Sequence, residues 1–293
     1  MKLRKSVILT LVLWACAGQM AKADEGMWMI NAIDAALEKK MVERGLELSA
    51  GEIYNADAPG SSVADAVVSM AFGCTGSMIS DQGLLITNHH CAYSDVHGLS
   101  TPEHNYLEEG FWAMRSDEEV NIKDKQVYFL KRVLDVTDEV KKLQADLEAE
   151  GKPAGSRRLS HLMEQKYSKQ TGLDAWLSSM WRGSKYYLAL YEVYSDVRLV
   201  AAPPVSSAAF GGDIDNWEWP QHKCDFALYR VYTAPDGSPA GYSKDNVPMK
   251  PTRKLSISLD GYKAGDYTMI IGYPGSTNRY CSSFETGFKE TLR

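Results

Sequence analysis

Three stretches of the chain hold side chains that could do chemistry. In Thr87-Asn88-His89-His90-Cys91, two imidazoles follow an apolar run. An imidazole titrates near neutrality, so one fixed beside a cleft can act as a general base. Adjacent strand residues face opposite sides, so only one of His89 and His90 is expected to face such a cleft. The second stretch, Gly211-Gly212-Asp213-Ile214-Asp215-Asn216-Trp217-Glu218-Trp219-Pro220, mixes glycines, acids, an amide and indoles. As a bare turn it would only pack aromatics. As a recognition loop it suits a cationic ligand group, because carboxylates, the amide oxygen and indole faces all attract one. In the third stretch, Asp225 opens the apolar run Phe226-Ala227-Leu228-Tyr229. Beside a cleft histidine, such a carboxylate could fix the ring's tautomer and stabilise its charged form. A metal site is the competing use of these histidines. His90, His97 and His104 recur at even spacing, with His222 and Cys224 later, which defines a metal-dependent hydrolase as an alternative. Loop spacing of this kind prescribes no ligand geometry, and no paired-histidine helix motif accompanies it.

Positioning these groups falls to the surrounding elements. Residues 66–72 and 76–80 read as strands. Asp81-Gln82-Gly83 supplies turn chemistry, and Leu84-Leu85-Ile86-Thr87 completes a hairpin. Residues 28–45 show helical spacing of Ile30, Ile33, Leu37 and Met41. Residues 125–137 alternate as a strand pair. Residues 138–195 read as a mostly helical excursion, through Val140, Leu143 and Leu147, then Leu159, Leu162 and Met163, then Leu173, Trp176, Leu177, Met180 and Trp181. Strand texture returns at 196–200, 225–232, 255–259 and 267–272. The architecture expected is mainly β with a helical insertion.

The chain has 293 residues, 44% hydrophobic and 24% charged, with a formal net charge of −6. Such a balance fits a globular protein and lacks the basic stripe that nucleic acid requires. Lys2, Arg4 and Lys5 precede an apolar run from Val7 to Trp14, and Ala21-Lys22-Ala23 precedes Asp24. Residues 1–23 therefore read as a secretory signal peptide, too short for a membrane anchor. The expected location is outside the cytoplasm, in the periplasm or at the cell surface, with no stable membrane insertion. In an oxidising compartment Cys74, Cys91, Cys224 and Cys281 can pair, in any of three ways. Cys74–Cys91 is the first choice, since it would tie two hairpin strands behind the histidine.

The motifs together resemble a known family. Cys74-Thr75-Gly76-Ser77-Met78-Ile79-Ser80, followed by Leu85-Ile86-Thr87-Asn88-His89-His90-Cys91, is similar to the first barrel of the chymotrypsin clan. The doubled histidine before Ala92-Tyr93 is narrower in its resemblance. So are the block 210–220, Asp225-Phe226 with Tyr229-Arg230-Val231-Tyr232, and the block Gly272-Tyr273-Pro274-Gly275-Ser276-Thr277-Asn278-Arg279-Tyr280. These resemble the secreted bacterial serine dipeptidyl-peptidases 7 and 11, from Gly26-Met27-Trp28 to the last residue.

The resemblance implies a chymotrypsin-like β-barrel, His90 as catalytic histidine and Asp225 as its aspartate. It implies that Asn216 and Trp217 hold the substrate's free α-amino group, which would set dipeptide release. Substrates would be oligopeptides with a free N-terminus, and neither metal nor cofactor is implied. A homodimer is the remaining partner considered. One departure is evident: no Gly-x-Ser-Gly-Gly stretch occurs, and Thr291-Leu292-Arg293 falls in what reads as a helix start. The expectation is an N-terminal part of a longer protein. On that reading 24–275 is an incomplete peptidase domain carrying the excursion at 138–195, and 276–293 begins a helical region. Nucleophile and oxyanion hole would lie outside the chain, leaving it inactive by itself. A non-catalytic exported peptide-binding protein is the alternative.

Overall fold

The computed structural model describes residues 27–71, 73–212, 222–274 and 282–285. Residues 1–23, Asn216, Trp217 and most of 276–293 lie outside that set. The chain divides into two units, residues 1–33 and 34–293. The described part of the first holds a short 3-10 turn, Ile30–Ala32. The second begins with α1 (Ala35–Glu43), whose Asp34 cap accepts a hydrogen bond from the Leu37 N–H at 2.8 Å. That cap starts the helix seven residues later than the spacing over 28–45 predicts, because a capped turn outcompetes an apolar repeat at its margin.

Next come α2 (Ala50–Ile53), β1 (Val67–Ser69), β2 (Thr75–Met78) and β3 (Leu84–Thr87). The β2–β3 hairpin forms as expected, with Ser77 opposite Ile86 and Met78 opposite Leu85. Its turn needs glycine: Gly83 has φ +67°, and a Cβ there would lie 2.5 Å from the Val231 carbonyl oxygen. The Ser80 hydroxyl closes the same turn by accepting from the N–H groups of Gln82 and Leu84. Helices α3 (His89–Leu99) and α4 (Tyr106–Glu109) follow, then β4 (Phe111–Trp112), β5 (Val120–Asn121) and β6 (Val127–Asp135). Strand β6 is one continuous strand where the alternation over 125–137 predicts a pair.

The region 138–195 departs further from expectation. It holds two helices, α5 (Thr137–Ala149) and α6 (Ser156–Thr171), but its last third is the hairpin β7 (Asp174–Met180) and β8 (Lys185–Tyr194). Leu173, Trp176 and Leu177 fit helical spacing, yet Trp176 pairs with Ala189 and Leu177 with Leu188 across the hairpin. A short apolar run satisfies either period, and cross-strand pairing decides it. Next along the chain are β9 (Asp196–Ala202), α7 (Val205–Ala208), β10 (Ala227–Thr233) and β11 (Val247–Pro248). No strand forms at 255–259 or 267–272. Ile257, Leu259 and Ile270 are exposed there, and alternation without a neighbouring ladder does not make a strand.

All pairings are antiparallel and join the strands in one sheet, in the order β4-β9-β10-β3-β2-β1-β6-β8-β7, with β11 on β10 and β5 on β9. Among the described residues the path is open at both ends rather than a closed barrel. One core gathers Val68, Met78, Leu85, Val197, Leu199, Tyr229 and Val231 of the sheet with Ala92 and Val96 of α3. A second gathers Val140, Leu147, Leu159 and Met163 of the two long helices with Ala175 and Leu188 of the hairpin. Among the described residues, no helix is long and apolar enough to cross a membrane.

Candidate active site

The site is built at the junction of β3, α3 and the segment entering β10. Strand β3 ends at Thr87, and α3 begins at His89, so both histidines lie in a helical first turn and not at a strand end. Successive helical residues rotate by about 100°, which still separates the two rings. His89, Ala92 and Val96 form the buried face of α3. His90 points away, its side chain 70% exposed.

Burial pushes the His89 pKa down, against the attraction of Asp225 and a hydrogen bond to the Pro203 backbone. This ring is therefore held neutral. Its Nε2 is buried without a hydrogen-bond partner.

Strand pairing brings Asp225 to His90. Ala227 pairs with Thr87 and Leu228 with Ile86, which sets the start of β10 beside the end of β3. Asp225 Oδ2 lies 2.9 Å from His90 Nδ1, across 135 positions of sequence. Its Oδ1 accepts the His90 backbone N–H at 3.1 Å. That N–H is one of the donors a helix start leaves unpaired, so the aspartate caps α3 from a distant segment.

Asn88 occupies the usual capping position but makes no side-chain cap bond. Its Nδ2 instead donates to the Asp225 carboxylate at 3.1 Å and to the Asp225 carbonyl at 3.2 Å. The Cys74–Cys91 disulfide ties the residue after His90 to the start of β2, as the first-choice pairing expects. Cys224 is a free, exposed thiol.

These contacts fix the protonation pattern. Burial raises the Asp225 pKa, but hydrogen bonds from the His90 ring and backbone, the His90 charge and the Asn88 amide outweigh it, leaving the carboxyl below its ordinary value. An ionised carboxylate only accepts. His90 Nδ1 must therefore carry the proton of that bond, which leaves Nε2 as the ring nitrogen turned away from the carboxylate. Such an arrangement fixes the tautomer of an imidazole, which general-base chemistry requires.

The expected His90–Asp225 pair is thus brought together. Asn88, which also holds Asp225, escaped the sequence reading, although an Asn just ahead of a helix start is a recognisable capping signal. The alternative metal set is not assembled: His104 Nδ1 instead meets Glu109 at 3.2 Å. Among the described residues no three His, Cys, Asp or Glu side chains gather as a metal site.

The site thus joins an antiparallel sheet, a His–Asp pair and a disulfide next to the histidine. Residues 23–292 match the Peptidase S46 family, and the chain belongs to it, as the three motif blocks imply. It is 43% identical to the Asp/Glu-specific dipeptidyl-peptidase of Porphyromonas gingivalis, over 97% of this chain and 40% of that protein. It is 42% identical to dipeptidyl-peptidase 7 of the same organism, over 96% of this chain and 39% of that protein. The crystal structure of Porphyromonas endodontalis DPP11 in complex with the dipeptide Arg-Glu superposes with a TM-score of 0.75 and 40% identity, covering 83% of this chain and 36% of that one. The chain thus spans about two fifths of the length of the curated relatives it matches.

Proposed function

We infer that this chain carries the His–Asp half of a serine-type dipeptidyl-peptidase that releases dipeptides from the free N-terminus of oligopeptides. One observation carries the reading: His90 Nδ1 lies 2.9 Å from an ionised Asp225, in a chain of the Peptidase S46 family. His90 Nε2 takes the proton of a serine hydroxyl as that oxygen attacks the scissile carbonyl, then delivers it to the leaving amine. Asp225 orients the ring and stabilises the imidazolium. Asn216 and Trp217 hold the substrate's α-ammonium group, by an amide oxygen and an indole face. On this reading the nucleophilic serine belongs to the part of the protein beyond the two fifths of the relatives' length that this chain spans.

A chymotrypsin-like barrel is part of the same reading. The antiparallel hairpin that leads to His90, the Cys74–Cys91 bridge and the exposed apolar side chains of Ile257, Leu259 and Ile270 support it, because closure would cover those side chains. Export to the periplasm or cell surface is supported by the signal-type residues 1–23 and by a disulfide that suits an oxidising compartment. Identity is shared almost equally with relatives named Asp/Glu-specific dipeptidyl-peptidase and dipeptidyl-peptidase 7, at 43% and 42%. The proposal is therefore their common reaction.

The test is mass spectrometry of products from unmodified and N-acetylated oligopeptides incubated with the full-length protein. Dipeptides from the unmodified peptide alone are expected. Tight peptide binding without any product would favour the non-catalytic peptide-binding alternative.

A further inference from the structure

Helix α3 carries His90 and β10 follows Asp225, so the dyad is only as well aligned as these two elements are fixed against each other. The apolar contacts of Ala92 and Val96 hold the helix on the sheet but set no single rotation, because hydrophobic contact is non-directional. A second, polar link runs between the same two elements. The Asp95 carboxylate accepts from the Tyr229 hydroxyl at 2.6 Å and from Lys125 Nζ at 2.6 Å, both at Oδ2.

Lys125 also donates to the Cys91 carbonyl at 3.4 Å and lies 5.0 Å from the centre of the Tyr229 ring. Asp95 stands five positions after His90 on α3, and Tyr229 four positions after Asp225 on the way along β10. The side chains of Lys125 and Asp95 are 14% and 17% exposed, and Tyr229 is fully buried. Burial, and then the Asp95 charge, push the Tyr229 hydroxyl up, so it remains a protonated donor.

We propose that Asp95 is a positioning residue for the His90–Asp225 pair, acting through its buried bond to Tyr229. The two bonds close a ring: helix to strand by His90–Asp225, and strand back to helix by Tyr229–Asp95. Lys125 braces that ring from the segment before β6, at the carbonyl of the residue following His90. Rotation or sliding of α3 that would separate His90 Nδ1 from Asp225 must stretch the Tyr229–Asp95 bond as well. Burying an ion pair is costly and a poor route to stability alone, and setting register is its best-attested use.

The proposal rests on the dipeptidyl-peptidase reading for its kinetic consequence and on geometry alone for its structural one. Two variants of the full-length protein, Tyr229→Phe and Asp95→Asn, test it through kcat, KM and the proton NMR signal of the His90 Nδ1–H. Tyr229→Phe removes one hydroxyl and leaves Asp95 paired with Lys125, so it retains the fold. The expected result is a fall in kcat of about ten- to a hundred-fold with KM within about two-fold, the scale of a small misplacement of a catalytic group, together with a displaced or broadened Nδ1–H signal.

Wild-type kcat and an unchanged signal in Tyr229→Phe would overturn the proposal, even if the melting temperature fell. If the wild-type protein released no dipeptides, the function would fail by itself. The NMR signal would still decide the positioning role.

Discussion

The two cores handle charge in opposite ways. Around the first, ion pairs are buried: Arg198–Asp196 inside β9, Arg230–Glu119 between β10 and the segment before β5, and Lys125–Asp95 against α3. Arg198 further stacks on the Tyr232 ring at 3.6 Å, and Asp196 also accepts from Asn121 and Asn246. The second core joins apolar side chains of the two long helices and the hairpin, with the hydroxyl of buried Thr137 bonded to Asp135. Its ion pairs, Lys166–Glu139 and Lys185–Asp135, lie at the surface. Burying a leucine is favourable, whereas burying a charge is costly and is offset only where partners are fixed in number and direction. The difference therefore marks which half of the molecule must hold atoms in register and which need only stay folded.

The largest contrast is expected at the dyad. His90→Ala or Asp225→Asn in the full-length protein should lower kcat/KM by about 10⁴-fold or more. The His90 side chain is mostly exposed, so thermal stability should change little in His90→Ala. A variant with activity within ten-fold of wild type would remove His90 from the chemistry.

Leu188→Ala, in the second core, should behave in the opposite sense. Leu188 is fully buried, and the change should cost about 2–5 kcal/mol. It should leave kcat intact, as read by urea denaturation beside steady-state kinetics. A large loss of kcat there would show that the helical region reaches the site.

The Cys74–Cys91 bridge closes a loop of sequence separation 17 next to His90. Replacing both cysteines by serine should cost about 3 kcal/mol, mainly by freeing the unfolded chain. The same replacement should loosen α3 enough to lower kcat by several-fold. Restored wild-type kcat despite lowered stability would leave the bridge a purely thermodynamic role.

How far the sequence revealed this contrast depends on the range of the interaction. The β2–β3 hairpin was legible because Asp81-Gln82-Gly83 is a local signal. His90 and Asp225 were legible as residue types at the edges of apolar runs. The start of α3 was not: the run Leu84-Leu85-Ile86-Thr87 enters His89 without a visible break, and only Asn88 hints at a helix. The β7–β8 hairpin is not legible in the sequence because Leu173, Trp176 and Leu177 fit a helical period as well as an extended one, and the deciding partners lie on β8. The Tyr229–Asp95 bond spans 134 positions and leaves no local trace. Residues 255–259 and 267–272 alternate as strands do, yet alternation specifies a face and not a neighbour to pair with.

Acid provides the mildest test of the contrast, because both regions contain an aspartate held below its ordinary value of 3.8. Burial works against the shift at Asp225, where the His90 and Asn88 hydrogen bonds outweigh it; at Asp135 hydrogen bonds from Lys185 and Thr137 bring the carboxyl to about 2. The side chain of Asp135 is 42% exposed, so solvent screens most of its advantage, whereas that of Asp225 is 29% exposed and sits in a closed set of donors. A carboxyl whose folded pKa is depressed contributes stability that is complete above its unfolded pKa and is lost as pH falls through the folded one. Both contributions should therefore be present above about pH 4 and fade below it. Asp225→Asn should lower stability by about 1 kcal/mol at neutral pH, a difference that shrinks towards pH 2. Asp135→Asn should change it by only a few tenths of a kcal/mol over the same range. A difference between wild type and Asp225→Asn that stays constant from pH 7 to pH 2 would mean that the ionised carboxylate is not what holds His90.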